Sequence, residues 1–188
     1  YRGAAPFSEP ETAALRDFLT AHLNVRAYVD LHSYGFMILW PWGHTPELSE
    51  NNITFDLLGT GMAERIVEVR GTGYPYRGPV YTTIYPVNGG SLDYSYGELG
   101  LWSITFEIGY YFYMPTYEII PTSEEMFQSL AFLSEWVFDC NGNGVADADE
   151  IAHGESDDCN GNLTPDECEQ QPDFDTDGIV DICDADID

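Results

Sequence analysis

Two polar side chains stand at the ends of apolar runs, and three clusters of oxygen-bearing side chains repeat one spacing. His32 follows the run Ala27 to Leu31, and Glu107 sits within Ser-Ile-Thr-Phe-Glu-Ile, with apolar neighbours on both sides. A lone histidine in such a place is more often a hydrogen-bonded core residue than a metal ligand, but imidazole can serve as either. A carboxyl on a strand is most simply a surface group, but apolar neighbours on both sides make that reading less comfortable, since a charge is costly to bury. The clusters are acidic. Asp139, Asn141, Asn143, Gly144, Asp147 and Glu150 fall at positions 1, 3, 5, 6, 9 and 12 of a twelve-residue loop. Oxygen ligands at that spacing can encircle a hard cation while the glycine permits the turn, so calcium is the expected ligand. Asp158, Asn160, Asn162, Asp166 and Glu169 repeat the register with Leu163 in place of the glycine, and Asp173, Asp175, Asp177, Gly178, Asp181 and Asp184 repeat it again.

The acids are unevenly spread. The chain has 188 residues and carries 33 acids against six bases, for a net charge of −27. This excess argues against nucleic acid or an anionic membrane as partner and favours cations. Residues 139–188 hold 17 of the acids and none of the bases, all six of which are arginines of residues 1–138. That break predicts a domain boundary between 138 and 139. Uncompensated acids at such density would repel one another without a counterion, which again points to calcium. All four cysteines, Cys140, Cys159, Cys168 and Cys183, lie in the acidic part, so two disulfides in an oxidising, extracellular compartment are expected. Positions 2 and 11 of the loops suit sequential crosslinks, although four cysteines allow three pairings. Short spacers, with Pro165 and Pro172, leave no room for helix pairs around each loop. No stretch approaches the roughly 20 apolar residues of a membrane span, and nothing at the start resembles a signal peptide.

The first 138 residues must position His32 and Glu107. Ser8-Glu9-Pro10-Glu11 reads as a capping box opening a helix to about His22, with Leu15, Phe18, Leu19 and Leu23 on one face. Ala27 to Leu31 reads as a buried strand and Phe36 to Trp40 as a second apolar run. A helix from Phe55 to about Val69 is expected from Leu57, Leu58, Met62, Ala63 and Ile66, with Gly71 as its stop. Trp102 to Ile108 is rich in strand formers. Thr122 and Glu125 read as the box that starts a last helix to about Phe138, with Met126, Leu130, Leu133 and Val137 inward. Strands alternating with helices predict an α/β sheet, partly parallel, with functional groups at the carboxyl ends of strands, where His32 and Glu107 stand.

The order of Tyr1-Arg2-Gly3, Ser8-Glu9-Pro10-Glu11, His32-Ser33-Tyr34, Trp40-Pro41-Trp42-Gly43, Tyr85, Gly89-Gly90-Ser91-Leu92-Asp93-Tyr94, Thr105-Phe106-Glu107 and Ile119-Ile120-Pro121-Thr122 resembles the pancreatic-type metallocarboxypeptidases of the M14 class. The resemblance covers nearly all of residues 1–138. It implies an α/β/α sandwich around a mixed, mostly parallel sheet, of which this chain holds the later part, and a zinc-dependent exopeptidase that removes C-terminal residues from peptides and proteins. His32 then matches the third zinc ligand. Glu107 matches the general base, which takes a proton from the attacking water and passes it to the departing amine. Tyr85 matches the tyrosine that closes over the terminal carboxylate of the substrate, and Tyr34 a subsite tyrosine beside the metal. Leu92 matches the floor of the pocket for the C-terminal side chain, where an apolar residue implies bulky hydrophobic substrates. Ser33-Tyr34 lies where the family places a non-proline cis peptide. The acidic tail resembles thrombospondin type 3 or dockerin-like calcium repeats, which would suit attachment to a surface or matrix.

The chain also departs from the pattern. The family's His-x-x-Glu ligands and its carboxylate-binding arginines precede the segment that begins at Tyr1. Residue 1 is not Met, so upstream chain is expected to be missing, and a single imidazole is expected to leave this polypeptide inactive alone. His44-Thr-Pro-Glu47 has the ligand pattern but follows His32 and contains Pro46, so it is expected to be a decoy. Two other readings compete: a bacterial cell-wall peptide hydrolase on the same scaffold, and a non-catalytic calcium-dependent adhesion protein.

Overall fold

The computed structural model describes residues 3–22, 24–71, 73–143, 147–159 and 165–168. Two compact units divide between Leu133 and Ser134. The first contains α1 (Pro10–Ala21), β1 (Ala27–His32), β2 (Met37–Trp40), α2 (Asn52–Arg70), β3 (Tyr76–Pro79), α3 (Val80–Thr83), α4 (Ser91–Gly97), β4 (Trp102–Glu107) and most of α5 (Thr116–Trp136). The strands form one sheet in the order β1-β4-β2-β3, in which β1 pairs with β4 and β2 with β3 in parallel, while β2 runs antiparallel to β4. A mixed, mostly parallel α/β sheet is thus present. Parallel pairing demands a long crossover, and the chain between β1 and β4 supplies it with α2, α3 and α4.

The core lies between the sheet and α2. Ile38, Ile104 and Phe106 are fully enclosed on the strands, and Phe55, Leu58, Met62 and Ile66 line the helix at intervals of three and four. Each such side chain contributes roughly 2 kcal/mol through burial. Gly59 is part of this face because Trp40 lies against it: a Cβ there would come within 2.9 Å of the indole ring. Gly71 ends α2 with φ of 75°, the left-handed geometry that glycine adopts without strain.

Several sequence expectations change. The first helix starts one residue beyond the proposed cap: Glu9 is the N-cap and makes no side-chain capping bond, while the Ser8 hydroxyl accepts from the Ala4 amide. Of its expected inward face Leu19 is buried, Leu15 and Phe18 are exposed, and Leu23 is outside the described residues. β1 is an edge strand, which leaves Leu31 half-exposed instead of buried. Leu57 faces solvent, because Phe55 and Gly59 take the inward positions of α2. The last helix begins at Thr116 and runs through Pro121, so Thr122 and Glu125 are not its cap. Both are buried, and Glu125 accepts a hydrogen bond from Arg70 Nε while Arg70 Nη1 donates to Glu118 at 2.6 Å. Glu118 and Glu125 lie two helical turns apart on one face, where a single guanidinium reaches both.

The second unit contains α6 (Asp147–His153) and a 3-10 turn, Asp166–Cys168. Its hydrogen bonds repeat. The Asp147 amide donates to the Phe138 carbonyl and the Cys140 amide to Asp147 Oδ1; the Asp166 amide likewise donates to the Asp157 carbonyl and the Cys159 amide to Asp166 Oδ1. A disulfide joins Cys140 to Cys168, with Cα atoms 5.9 Å apart, linking position 2 of one repeat to position 11 of the next. Cys159 is disulfide-bonded as well.

Candidate active site

β1 and β4 run in parallel and in step, Ala27 opposite Trp102 and onward, so that His32 lies directly opposite Glu107. Glu107 is also opposite Met37 of β2, which places it in the middle of the sheet's rim. Burial pushes its carboxyl above the usual range, and the neighbouring His32 opposes that shift. A carboxyl raised in this way holds a proton more readily, the property a base needs if it is to work near neutral pH. The His32 side chain is 56% exposed and therefore open to a ligand.

Alternation along the strand puts Tyr28, Asp30 and His32 on one face, and Ser103, Thr105 and Glu107 beside them. Asp30 is tightly held. Tyr28 donates its hydroxyl to Asp30 Oδ1 at 2.7 Å, and Ser91 donates to Oδ2 from the first residue of α4. The same Oδ2 lies 4.0 Å from His32 Nε2. Next to Ser91, Leu92 is buried against Leu39 and Val80, with Met37, Ile84 and Val87 around them.

Two loops continue from the paired strands and are laced together. The Ile108 amide donates to the His32 carbonyl at 2.8 Å, and the Gly35 amide to the Gly109 carbonyl at 3.0 Å. The Ser33-Tyr34 peptide is cis, as the resemblance implies, and Pro41-Trp42 is a second cis bond. Tyr34 sets its ring edge-on to Phe112, with centroids 4.9 Å apart. Phe36 holds a left-handed backbone, φ 54°, with its ring against Tyr74 and Tyr110. Tyr85, in the loop after α3, is 62% exposed. A cavity of about 240 Å³ lies between this aromatic loop and α5, lined by Phe36, Arg70, Tyr110, Tyr117 and Glu118, and its lining does not include His32 or Glu107.

His44 is engaged elsewhere: its Nδ1 is 2.7 Å from Asp93 Oδ2, and Asp93 also accepts from the backbone amides of Gly43 and His44. Asp93 thus fastens the Trp-Pro-Trp-Gly turn to α4. Sequence reasoning missed Asp30, Ser91 and the Arg70–Glu118–Glu125 cluster. Asp30 had a signal in its position two residues before His32 on a strand, whereas Ser91 had none that spacing could supply.

In the acidic unit, Asp139, Asn141, Asn143, Asp147 and Glu150 draw together. Asn141 Nδ2 donates to both Glu150 oxygens at 3.2 Å, Asn143 Nδ2 donates to Glu150, and the Asn143 amide donates to Asp139 and Asn141 side chains at 3.1 Å. Asp147 and Glu150 are buried. Asp158 and Asp166 belong to the second repeat, while Gly144, Asn160, Asn162, Glu169, Asp173, Asp175, Asp177, Asp181 and Asp184 lie outside the described residues. Among the described residues no three His, Cys, Asp or Glu side chains assemble into a metal cluster. For zinc, the donors present are one accessible imidazole with a partly buried carboxyl opposite it, a set that fits part of a metal sphere.

The model of the zinc carboxypeptidase family, Peptidase_M14, matches residues 1–129. Carboxypeptidase B of Bos taurus is 36% identical over 144 residues, covering 74% of this chain and 34% of that protein. Carboxypeptidase A4 of Mus musculus is 36% identical over 143 residues, with the same coverage. The chain therefore spans about a third of the length of these relatives. Among solved structures, bovine thrombin-activatable fibrinolysis inhibitor, in complex with a tick carboxypeptidase inhibitor, superposes with a TM-score of 0.68 at 30% identity, over 72% of this chain and 47% of that one. With the sheet, the paired His32 and Glu107 and the matched segment in agreement, the chain belongs to the M14 zinc carboxypeptidases.

Proposed function

We propose that this chain contributes one zinc ligand, His32, and the general base, Glu107, of a peptidase that removes C-terminal residues from peptides and proteins. The observation that carries the reading is the register of β1 and β4, which sets an accessible imidazole opposite a desolvated carboxyl. Residues outside this chain would complete the zinc sphere, which needs about three protein ligands and an open position. Bound zinc would supply Lewis-acid polarisation of the scissile carbonyl and a lowered water pKa. Glu107 would take the proton of the attacking water and return it to the leaving amine. Tyr85, exposed on its loop, would cover the substrate's terminal carboxylate, and Tyr34 would contact substrate in a subsite beside the metal. Leu92, with Leu39 and Val80 beside it, gives the side-chain pocket an apolar base and favours large hydrophobic C-terminal residues.

Comparing release of C-terminal Phe and Arg by the complete peptidase domain tests this reading. Phe should be favoured, and Leu92→Asp should move the preference toward Arg. A wild-type preference for Arg would remove the role given to Leu92.

For residues 139–188 the proposal is calcium binding, with Asp139, Asn141, Asn143, Asp147 and Glu150 as the first set and Asp158, Asn160, Asn162, Asp166 and Glu169 as the second. Asp173, Asp175, Asp177, Asp181 and Asp184 would form the third. The support is a shared twelve-residue spacing together with hydrogen bonding that recurs in the first two repeats. Chelation by EDTA should then expose this region to protease, and unchanged cleavage would count against it. The Cys140–Cys168 bond is consistent with an extracellular, oxidising location, in which the tail could attach the enzyme to a surface or matrix. Among the described residues no helix is long and apolar enough to cross a membrane.

A further inference from the structure

Asp30 stands between the two halves of the site. One oxygen is fixed by the Tyr28 hydroxyl, and the other accepts from Ser91 while facing His32 Nε2 at 4.0 Å. A neutral imidazole carries one N–H; at 4.0 Å the carboxylate is beyond hydrogen-bond length, so it acts through its negative charge, which favours the tautomer with the proton on Nε2, the nitrogen it faces. The lone pair then resides on Nδ1, where it is free to bind a metal. Ser91 leads directly into Leu92, whose side chain is buried against Leu39 and Val80. The same carboxylate is therefore bonded to the start of α4, the element that carries the apolar pocket base.

We propose that Asp30 is a positioning residue that ties the metal ligand to the substrate pocket, setting the Nε2–H tautomer of His32 with Oδ2 and anchoring α4 through Ser91. The proposal rests on reading His32 as a zinc ligand and Leu92 as part of the pocket. Asp30 would act through His32 and Ser91, its neighbours in the structure. Carboxylates that orient a ligating imidazole generally change metal affinity when they are replaced, by about 10- to 100-fold.

The test uses the complete peptidase domain as wild type, Asp30→Asn, Ser91→Ala and Ser91→Thr. Asp30→Asn should raise the zinc Kd about 10-fold or more in chelator competition, and should abolish the preference for Nε2–H seen by long-range nitrogen–proton NMR of the metal-free protein. Ser91→Ala should leave the zinc Kd within about twofold and raise KM for a C-terminal Phe substrate more than it lowers kcat, with Ser91→Thr restoring KM. An unchanged zinc Kd and tautomer in a folded Asp30→Asn protein would overturn the proposal. Should that variant not fold, a wild-type His32 protonated mainly on Nδ1, or a Ser91→Ala enzyme with unaltered KM, would overturn it equally. A wild-type domain that binds no zinc and releases no C-terminal residue would instead sink the peptidase reading, a separate result from the tautomer measurement.

Discussion

The two units of this chain bring chemical groups together by opposite means. In the first, His32 and Glu107 meet because a crossover returns the chain to lie parallel and in register with β1, and Ser91 reaches Asp30 across a gap of 61 residues. In the second, Asn141 and Asn143 meet Glu150 of α6 across a separation of at most nine residues, and a disulfide spanning 28 residues holds neighbouring repeats. The first unit relies on a buried sheet for precision, whereas the acidic unit relies on local spacing and covalent linkage. Damage to one should therefore look unlike damage to the other.

The largest expected effect isolates the sheet's work. Glu107→Gln in the complete domain should lower kcat by about 10²- to 10⁴-fold while zinc content, measured by metal analysis, stays at the wild-type level. A loss of zinc in parallel would mean that the carboxyl holds structure instead of moving protons. Next comes the crosslink: Cys140→Ser should destabilise the acidic unit by about 3.5 kcal/mol on the loop-entropy scale, seen as faster proteolysis of residues 139–188 with peptidase activity intact. Arg70→Met probes the buried side of the first unit, since it leaves Glu125 enclosed without its guanidinium. A loss of about 3 kcal/mol in denaturant unfolding is expected, and Arg70→Lys should restore only part of it because one ammonium cannot span Glu118 and Glu125.

The smallest effect is in alkaline solution. The Tyr28 phenol is pushed up to about 12, first by burial and then by the nearby Asp30 carboxylate. Its neutral form is favoured by the fold, so its contribution is complete below the ordinary tyrosine value near 10 and declines as pH climbs from there toward 12. Ultraviolet titration should show late-ionising tyrosines, Tyr28 and the more deeply buried Tyr74 among them, and Tyr28→Phe should remove one of them. Loss of an ordinary early-titrating phenol instead, with the late phase intact, would mean that β1 is more open than its hydrogen bonds indicate.

Legibility from sequence follows the same division. The strand end at His32 could be read because an apolar run stops there, that of β4 within one residue of Glu107, and the stop of α2 at Gly71 because glycine suits that left-handed geometry without strain. Leu57 and Leu58 both fit a helical stripe, and only the position of Trp40 against Gly59 decides which of them is inward. Thr122 and Glu125 had the spacing of a cap, but Glu125 is claimed by Arg70, 55 residues away. Periodicity carries no information about such a partner. Among the described residues of the acidic unit, the recurring bonds of Phe138 and Cys140 with Asp147, and of Asp157 and Cys159 with Asp166, are short-range and follow the spacing in the sequence, although the choice of Cys140 and Cys168 as partners needed three-dimensional structure.

The bond between the Gly35 amide and the Gly109 carbonyl has a mechanical meaning. It yokes the segments that leave β1 and β4, so a thermal displacement of either rim carries the other along. Distance between the imidazole and the carboxyl should then fluctuate less than the placement of the pair within the molecule.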